Sequence, residues 1–497
     1  MPASSINNPH PNQWPACDRI LRAAIAAASL FLVLLFLYTA LRRLHYPYEL
    51  EELEGSMFIG VLRVFHGQPL YPRPSLDFIP YMYSPGYYFA SAWLGKLYGM
   101  TISTLRLTSI LSTLGCFAAI YALVFTEVRR HLPSLAAVGI YAGCYTLCQE
   151  WFDLGRLDSF FVFLVLLAML CTRRLHPVIA AIAWALAFQT KQSILPAALL
   201  MLLSLYVPGD ARQLRRMLTG LTAFVVLVAG SLAWLNHTTA GWFSYYVFQV
   251  PGANADIKLR ALLIFPSADL LRPLALLLIV ILAAAVLTPP SLRSAATRFY
   301  IAALSLLPLF WWIRAHAGST VNSLMPIYAL LAVLFGVAFA RLLTSLQQMD
   351  ARAPLLLLAA VFAQVAAGIY NPGDYLPVKE NTAAIRTAID LVRATPGEVY
   401  VAQHPYYDYL AGKPTHADVV SLHDAMRPRS PIHAELQGEM QAAMSSGEFS
   451  AIVLDDPAAA DKLDAIDGST AWREGFPAQH TIPQTTGLTR PHWLLTR

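Results

Sequence analysis

Residues 46–57, YPYELEELEGSM, gather Glu49, Glu51, Glu52 and Glu54 just after a long apolar segment ends. Carboxylates repel one another, and a neighbouring bilayer offers them nothing. Such a cluster is better explained by work on a substrate or cation than by packing, the plain alternative being a solvated acidic turn. In a helix Glu51 and Glu54 share a face at i, i+3; in an extended chain Glu52 and Glu54 share one at i, i+2. Either spacing aims two carboxylates into one cleft, where each raises the other's pKa toward that of a useful general base. Glu52 with Glu54 also imitates an acidic pair for a divalent metal, a role that nearby cations would make unnecessary.

Cations recur at the ends of apolar runs. Arg156 and Asp158 close EWFDLGRLD (150–158), Lys191 sits in QTKQ (189–192), Lys258 and Arg260 lie in a long loop over residues 236–269, and Arg314 and His316 open RAHAGSTVN (314–322). Guanidinium and ammonium groups at headgroup level suit a phosphate, bound through charge-assisted hydrogen bonds. Snorkelling to the interface is the bland account of each cation, a helix N-cap that of Asp158, and a turn before a helix that of residues 318–322.

These groups need elements to hold them. The 497 residues are 57% hydrophobic and 13% charged, against about 25% charged in soluble domains, which makes this a polytopic membrane protein. The net charge of +5 comes from short Arg-rich loops, which argues against nucleic acid as a partner. Apolar runs at about 20–41, 105–126, 133–149, 159–171, 178–188, 194–207, 217–235, 270–287, 299–313, 324–340 and 354–369 predict about eleven transmembrane helices, the first an uncleaved signal anchor after a disordered cytoplasmic tail over residues 1–19. Several cores are shorter than a spanning helix requires.

With the N-terminus inside, Arg129, Arg130, Arg173, Arg174, Arg212, Arg215, Arg216, Arg293, Arg298, Arg341 and Arg352 all fall on cytoplasmic connections. Arg42 and Arg43 break that pattern, and headgroup contact is the only role the sequence offers them. The carboxylates then lie in a first outside loop, residues 44–103, with two interfacial helices expected at 55–66 and 86–99. The mid-span regions are nearly free of ionisable residues, unlike ion-coupled transporters, so chemistry is expected at the outer surface.

From residue 371 polar residues return. Helix-like 381–393 and 432–444 alternate with strand-like 398–402 and 451–454, predicting a small extracytoplasmic α/β domain over residues 371–497 on the carboxylate side, without a nucleotide-binding motif. Cys17, Cys116, Cys144, Cys148 and Cys171 have no metal-ligand spacing and read as small core residues.

Taken in order, Glu51-Glu-Leu-Glu-Gly55, Gly67-Gln-Pro-Leu-Tyr71, Tyr83-Ser-Pro85, Gly155-Arg-Leu-Asp158, Ala187-Phe-Gln-Thr-Lys-Gln-Ser193 and Gly318-Ser-Thr-Val-Asn322 before Pro326 resemble the GT-C polytopic glycosyltransferases. Within them the likeness is to the bacterial family 39-like branch related to protein mannosyltransferases and aminoarabinose transferases. It covers roughly the first 370 residues. The family's loop acid is commonly Asp, often in an Asp-Glu pair; here Leu53 precedes Glu54, so either Glu51 or Glu54 fits.

The resemblance implies an enzyme of the bacterial inner membrane that moves a sugar from a polyprenyl-phosphate donor to an acceptor hydroxyl on a lipid, glycan or protein, on the outer face. Glu54, with Glu51 as partner or substitute, would be the general base of an inverting transfer. Arg156, Lys191, Arg314, His316 and Asp158 would hold the donor phosphate, and Tyr71 and Tyr83 would be loop or acceptor contacts. No cofactor is implied beyond a divalent metal at Glu52 and Glu54. A lipid-linked sugar flippase, or a polymerase or ligase using a diphosphate lipid, would share the phosphate site but not the carboxylate base.

Overall fold

The computed structural model describes residues 14–455, apart from 175, 254–255, 292–293, 317, 349–351 and 428, together with 473–474 and 493–496. Most of the expected cytoplasmic tail, Arg293 and much of the last forty residues lie outside the described residues.

Every apolar run becomes helical. The helices are α1 (Trp14–Leu44), α4 (Ile102–Val128), α5 (His131–Gly143), α6 (Asp158–Arg174), α7 (Pro177–Phe188), α8 (Gln192–Leu203), α9 (Ala211–Thr238), α10 (Leu259–Leu287), α11 (Ala295–Arg314), α12 (Val321–Leu346) and α13 (Arg352–Ala366), with α2 (Glu54–Phe65) and α3 (Gly86–Tyr98) in the loop after α1. Among the described residues six of these, α1, α4, α9, α10, α11 and α12, are long and apolar enough to cross a bilayer. The others are shorter, so the chain is a multi-pass membrane protein whose crossings number at least these six by length and composition.

Helix α12 is the axis of the bundle, with 94% of its most apolar window buried, whereas α9 and α10 bury 22% of theirs. Their outward side chains, among them Val226, Trp234, Leu263 and Leu282, remain exposed as large apolar groups, the surface a bilayer covers. Close approach needs small residues. Gly143 of α5 and Gly368 just after α13 meet so tightly that a Cβ on Gly368 would stand 2.6 Å from the Cα of Gly143.

Helix α10 carries Pro266 and Pro273, a π-helical stretch over Phe265–Leu271, and a non-helical Leu274. The break frees the Leu277 N–H and the Pro273 carbonyl. Gln364 of α13 repairs it, accepting from Leu277 N at 3.1 Å and donating Nε2 to Pro273 O at 3.1 Å. A buried glutamine thus supplies the bonds that proline took away.

After α13 come α14 (Lys379–Ala394), β1 (Glu398–Val401), α15 (Pro405–Ala411), α16 (Val419–Ala425), α17 (His433–Ser446) and β2 (Phe449–Leu454), followed by β3 (Arg473–Glu474) and β4 (Trp493–Thr496). The sheet order is β1-β2-β4-β3. β1 and β2 are parallel and both nearly fully buried, as strands joined by a helical crossover are. The carboxyl ends of this parallel pair point at the carboxylate loop, and that is what matters for the site.

Candidate active site

The loop between α1 and α2 is fixed by one arginine. Arg106, in the first turns of α4, is fully buried and donates Nε to Glu54 Oε1 at 2.8 Å and Nη2 to Glu54 Oε2 at 2.7 Å. Its remaining N–H groups go to the carbonyls of Arg43, Tyr46 and Tyr48, which closes the turn after α1. Glu54 also accepts from Leu50 N at 2.9 Å and Gly155 N at 2.6 Å. A Cβ on Gly155 would stand 3.0 Å from Glu54 Cγ, which explains a glycine there. Burial alone would push this carboxyl up, but Arg106 and the two backbone N–H groups more than offset it and hold Glu54 below the usual range.

Glu51 stands three residues earlier in a different environment. Its Oε2 meets Arg156 Nη1 at 3.3 Å in a single long contact. Burial pushes the Glu51 carboxyl up to about 8, with Arg156 only partly offsetting it. The Arg156 guanidinium lies over Trp151 at 4.9 Å and Tyr81 at 5.5 Å, and its Nε has no partner within the protein.

Two residues on, Asp158 opens α6 and receives Lys191 Nζ on Oδ1 at 3.1 Å, leaving Oδ2 buried without a partner. Burial would lower the Lys191 pKa, but Asp158 and Tyr83 outweigh it and keep the ammonium charged. Lys191 lies 5.8 Å from the Tyr83 ring, and Tyr71 donates its hydroxyl to Tyr83 O at 2.8 Å. Gln192 Nε2 bonds Met82 O and Val247 O, and Gly86 N bonds Gln189 O, so the stretch of the first loop over residues 82–86 docks on the α7–α8 junction.

The structure therefore brings Glu51, Arg156, Asp158, Lys191, Tyr83 and Tyr71 into one continuous array, with Glu54 as its anchored floor. Arg314 and His316 form a second cluster. Arg314 faces Asp269 at 3.4 Å and donates to Ser319 O, while the half-buried His316 ring bonds Trp312 O. Among the described residues neither shares a hydrogen bond, ion pair or ring contact with Arg156 or Lys191. The same holds for a metal: no group of three His, Cys, Asp or Glu side chains among the described residues is disposed to hold one, and both Glu54 oxygens are already engaged.

Several participants escaped the sequence reading. Arg43 does not serve a headgroup; it is fully buried against Asp153 at 3.2 Å and donates to Tyr145 Oη at 2.6 Å. Arg106 was hidden as one charge in a long apolar run, although an intramembrane arginine is itself a signal of a site. The turn carrying Trp151 and Asp153 follows Gln149 and Glu150, both in the left-handed region at φ 50° and 58° without being glycine. Strain of this kind gathers where loops are held for function.

The C-terminal unit reaches in as well. His404, beyond β1, bonds Glu49 Oε2 at 2.5 Å through Nδ1 and Asp455 Oδ2 at 2.9 Å through Nε2, with all three side chains buried. Burial would lower the His404 pKa; Asp455 and Glu49 outweigh it and hold it well above its ordinary value. A Cβ on Gly55 would stand 1.7 Å from Glu49 Oε1, so only glycine admits this clasp. Nearby, Asp418 caps α16 through Val420 N and accepts from Ser56 Oγ of α2 at 2.5 Å.

The fold is that of the GT-C polytopic glycosyltransferases. ArnT from Cupriavidus metallidurans, in a crystal structure bound to undecaprenyl phosphate, is similar with a TM-score of 0.58 at 12% identity, over 93% of this chain and 97% of that one. The archaeal oligosaccharyltransferase AglB from Archaeoglobus fulgidus, in complex with an inhibitory peptide and a dolichol-phosphate, is similar with a TM-score of 0.51 at 11% identity, over 87% of this chain and 69% of that one. No family model matches the chain, and no curated protein is similar to it in sequence.

Proposed function

We propose that the chain is a glycosyltransferase that moves a sugar from a polyprenyl-phosphate donor to an acceptor hydroxyl at the outer face of a bacterial inner membrane, with its N-terminus inside and its C-terminal α/β unit outside. The observation that carries this reading is the alternation of Glu51, Arg156, Asp158 and Lys191 in one buried array on a GT-C fold. Structural neighbours bound to undecaprenyl phosphate and dolichol-phosphate support a phospholipid carrier as the donor's lipid.

In this reading Glu51, rather than Glu54, takes the acceptor proton. Glu54 already accepts four hydrogen bonds and is held ionised, whereas Glu51 has a weak partner and a raised pKa suited to proton transfer near neutrality. As Glu51 removes the proton, the acceptor oxygen bonds to the anomeric carbon and the carbon–oxygen bond to phosphate breaks. The electron pair leaves on the phosphate, where Arg156 and Lys191 stabilise the charge. Attack opposite the phosphate inverts the anomeric centre.

Transfer by the purified protein in detergent, offered a panel of polyprenyl-phosphate sugars, tests this with wild type beside Glu51→Gln and Glu54→Gln. Product that disappears in Glu51→Gln while the protein stays folded is the expected result. Donor binding without product, unchanged by both substitutions, would favour a flippase.

A further inference from the structure

Asp418 joins the C-terminal unit to the catalytic array. The backbone around it is fixed from both sides: Ala417 N donates to Leu76 O of the first loop at 2.7 Å, Val419 N to Ala402 O just past β1 at 2.7 Å, and Tyr400 Oη to Ala417 O at 3.0 Å. The buried side chain divides its two oxygens between two tasks. Oδ1 caps α16 by accepting from Val420 N at 2.7 Å, the ordinary work of an aspartate at a helix start. Oδ2 accepts from hydroxyls of the first loop and α2, Ser56 Oγ at 2.5 Å and, in a longer bond, Tyr81 Oη at 3.4 Å. A cap needs only the first oxygen.

Tyr81 is where the second oxygen gains a consequence. It is buried, with its ring centre 5.5 Å from the Arg156 guanidinium and 6.3 Å from the Tyr83 ring, which in turn meets Lys191. Arg156 is lightly held by hydrogen bonds, with one contact of 3.3 Å to Glu51 and an unpaired Nε, so the rings of Tyr81 and Trp151 do much to set where its charge sits. A tyrosine free to tilt would leave the guanidinium a range of positions, whereas stabilising a developing charge requires one. The charged groups around Asp418 are His404 from beyond β1 and Asp424 of α16; those around Tyr81 are Asp418, Arg156 and Glu51. Burial pushes the Asp418 carboxyl up to about 6 against the Ser56 bond, the Val420 N–H and His404, so it is ionised above that value. Burial also lifts the Tyr81 phenol well above its ordinary value, which keeps it the donor.

We propose that Asp418 is a positioning residue: through the Tyr81 hydroxyl, the C-terminal unit holds the Arg156 guanidinium in place against Glu51 and the donor phosphate. The role rests on the transferase reading, and lipid binding and transfer are therefore measured separately. Asp418→Asn keeps an oxygen for the cap, since Asn caps as well as Asp, but loses the second acceptor and the charge. Tyr81→Phe keeps the ring and loses only the hydroxyl. Full-length wild type, both single variants and the double variant are compared for binding of undecaprenyl phosphate by thermophoresis, for thermal unfolding, and for transfer between about pH 5 and 9.

Each single variant is expected to weaken lipid-phosphate binding about threefold or more with Tm nearly unchanged, and the double variant to bind no worse than the weaker single, because both cut one path. The rise of transfer with pH should move to higher pH in each, since a guanidinium that strays from Glu51 offsets its burial less. Loss of the Asp418 charge by itself would move that rise to lower pH, and a merely structural role would lower transfer evenly at every pH. Tyr81→Phe alone carries the same expectations if Asp418→Asn folds poorly. Binding and pH profile unchanged in the variants, effects that multiply in the double variant, or a shift to lower pH would overturn the positioning role and leave the transferase reading standing. Weakened, non-additive binding beside a wild type that transfers no sugar from any donor would do the reverse. A wild type that binds no lipid phosphate would overturn both.

Discussion

Glu51 and Glu54 are the same residue type, three positions apart, both buried and both facing an arginine of a neighbouring segment. Glu54 meets its arginine as a two-pronged fork and adds two backbone N–H groups; Glu51 meets its own through one contact of 3.3 Å. Saturation, not burial, separates them. A carboxylate with every lone pair occupied is a structural anchor that holds the loop, whereas a sparsely paired one can exchange a proton.

The largest effects should split along that line. Glu51→Gln is expected to cut transfer by about 10²–10⁴-fold, the range lost with a general base, and to leave thermal unfolding nearly unchanged. Glu54→Gln strands the Arg106 charge and should cost about 3–5 kcal/mol, seen as a large drop in Tm by scanning fluorimetry and in the monodisperse fraction. A stable, inactive Glu54→Gln beside an active Glu51→Gln would reverse the two roles.

The clasp at His404 extends the comparison to the C-terminal unit. His404→Ala leaves Glu49 and Asp455 facing one another without their shared cation and should cost about 3 kcal/mol. Limited proteolysis should then release the C-terminal unit from the membrane part well before the rest unfolds; unchanged cleavage would make the clasp incidental.

Titration sharpens the same contrast. Glu51 must lose its proton to act, so transfer should rise about tenfold per pH unit well below its pKa and level off above about 8. Its stability contribution runs the other way: the folded state keeps a proton that the unfolded chain, with an ordinary value of 4.5, has released, so stability falls as pH climbs between those values. Glu54, held below the usual range, contributes stability that is present above 4.5 and lost as pH falls through its lowered value. A rate profile with no rise toward pH 8 would remove Glu51 as the base.

Hydropathy located the helices, since each apolar run contains one, but only six of them are long and apolar enough among the described residues to cross a bilayer by length and composition. The segments that carry the resemblance, Glu51–Gly55, Tyr83–Pro85, Gly155–Asp158 and Ala187–Ser193, are joined to one another by hydrogen bonds in the fold. Spacing could not tell Glu51 from Glu54, since the difference lies in Arg106 and the Gly155 N–H, which come from two other segments. Nor could it see that Arg43 would find Asp153, or that the strand ends of the C-terminal unit would deliver His404 to Glu49. The expected sidedness could at most group cations by a shared face, and a face is broader than a site.

That last point separates Lys191 from Arg314, both cations paired with an aspartate. Lys191→Met removes the cation paired with Asp158 and should raise donor KM about tenfold or more, the worth of a charged hydrogen bond to phosphate. Arg314 is committed to Asp269 and Ser319, and the Asp269 carbonyl is tied in turn to Tyr328 Oη at 2.8 Å. Arg314→Gln should therefore change donor KM by less than about threefold, under 1 kcal/mol. If instead it matched Lys191→Met, the donor phosphate would have to draw Arg314 away from Asp269. Helix α11 would then move when the lipid binds, a displacement that a spin-label pair on α11 and α6 would detect on adding undecaprenyl phosphate.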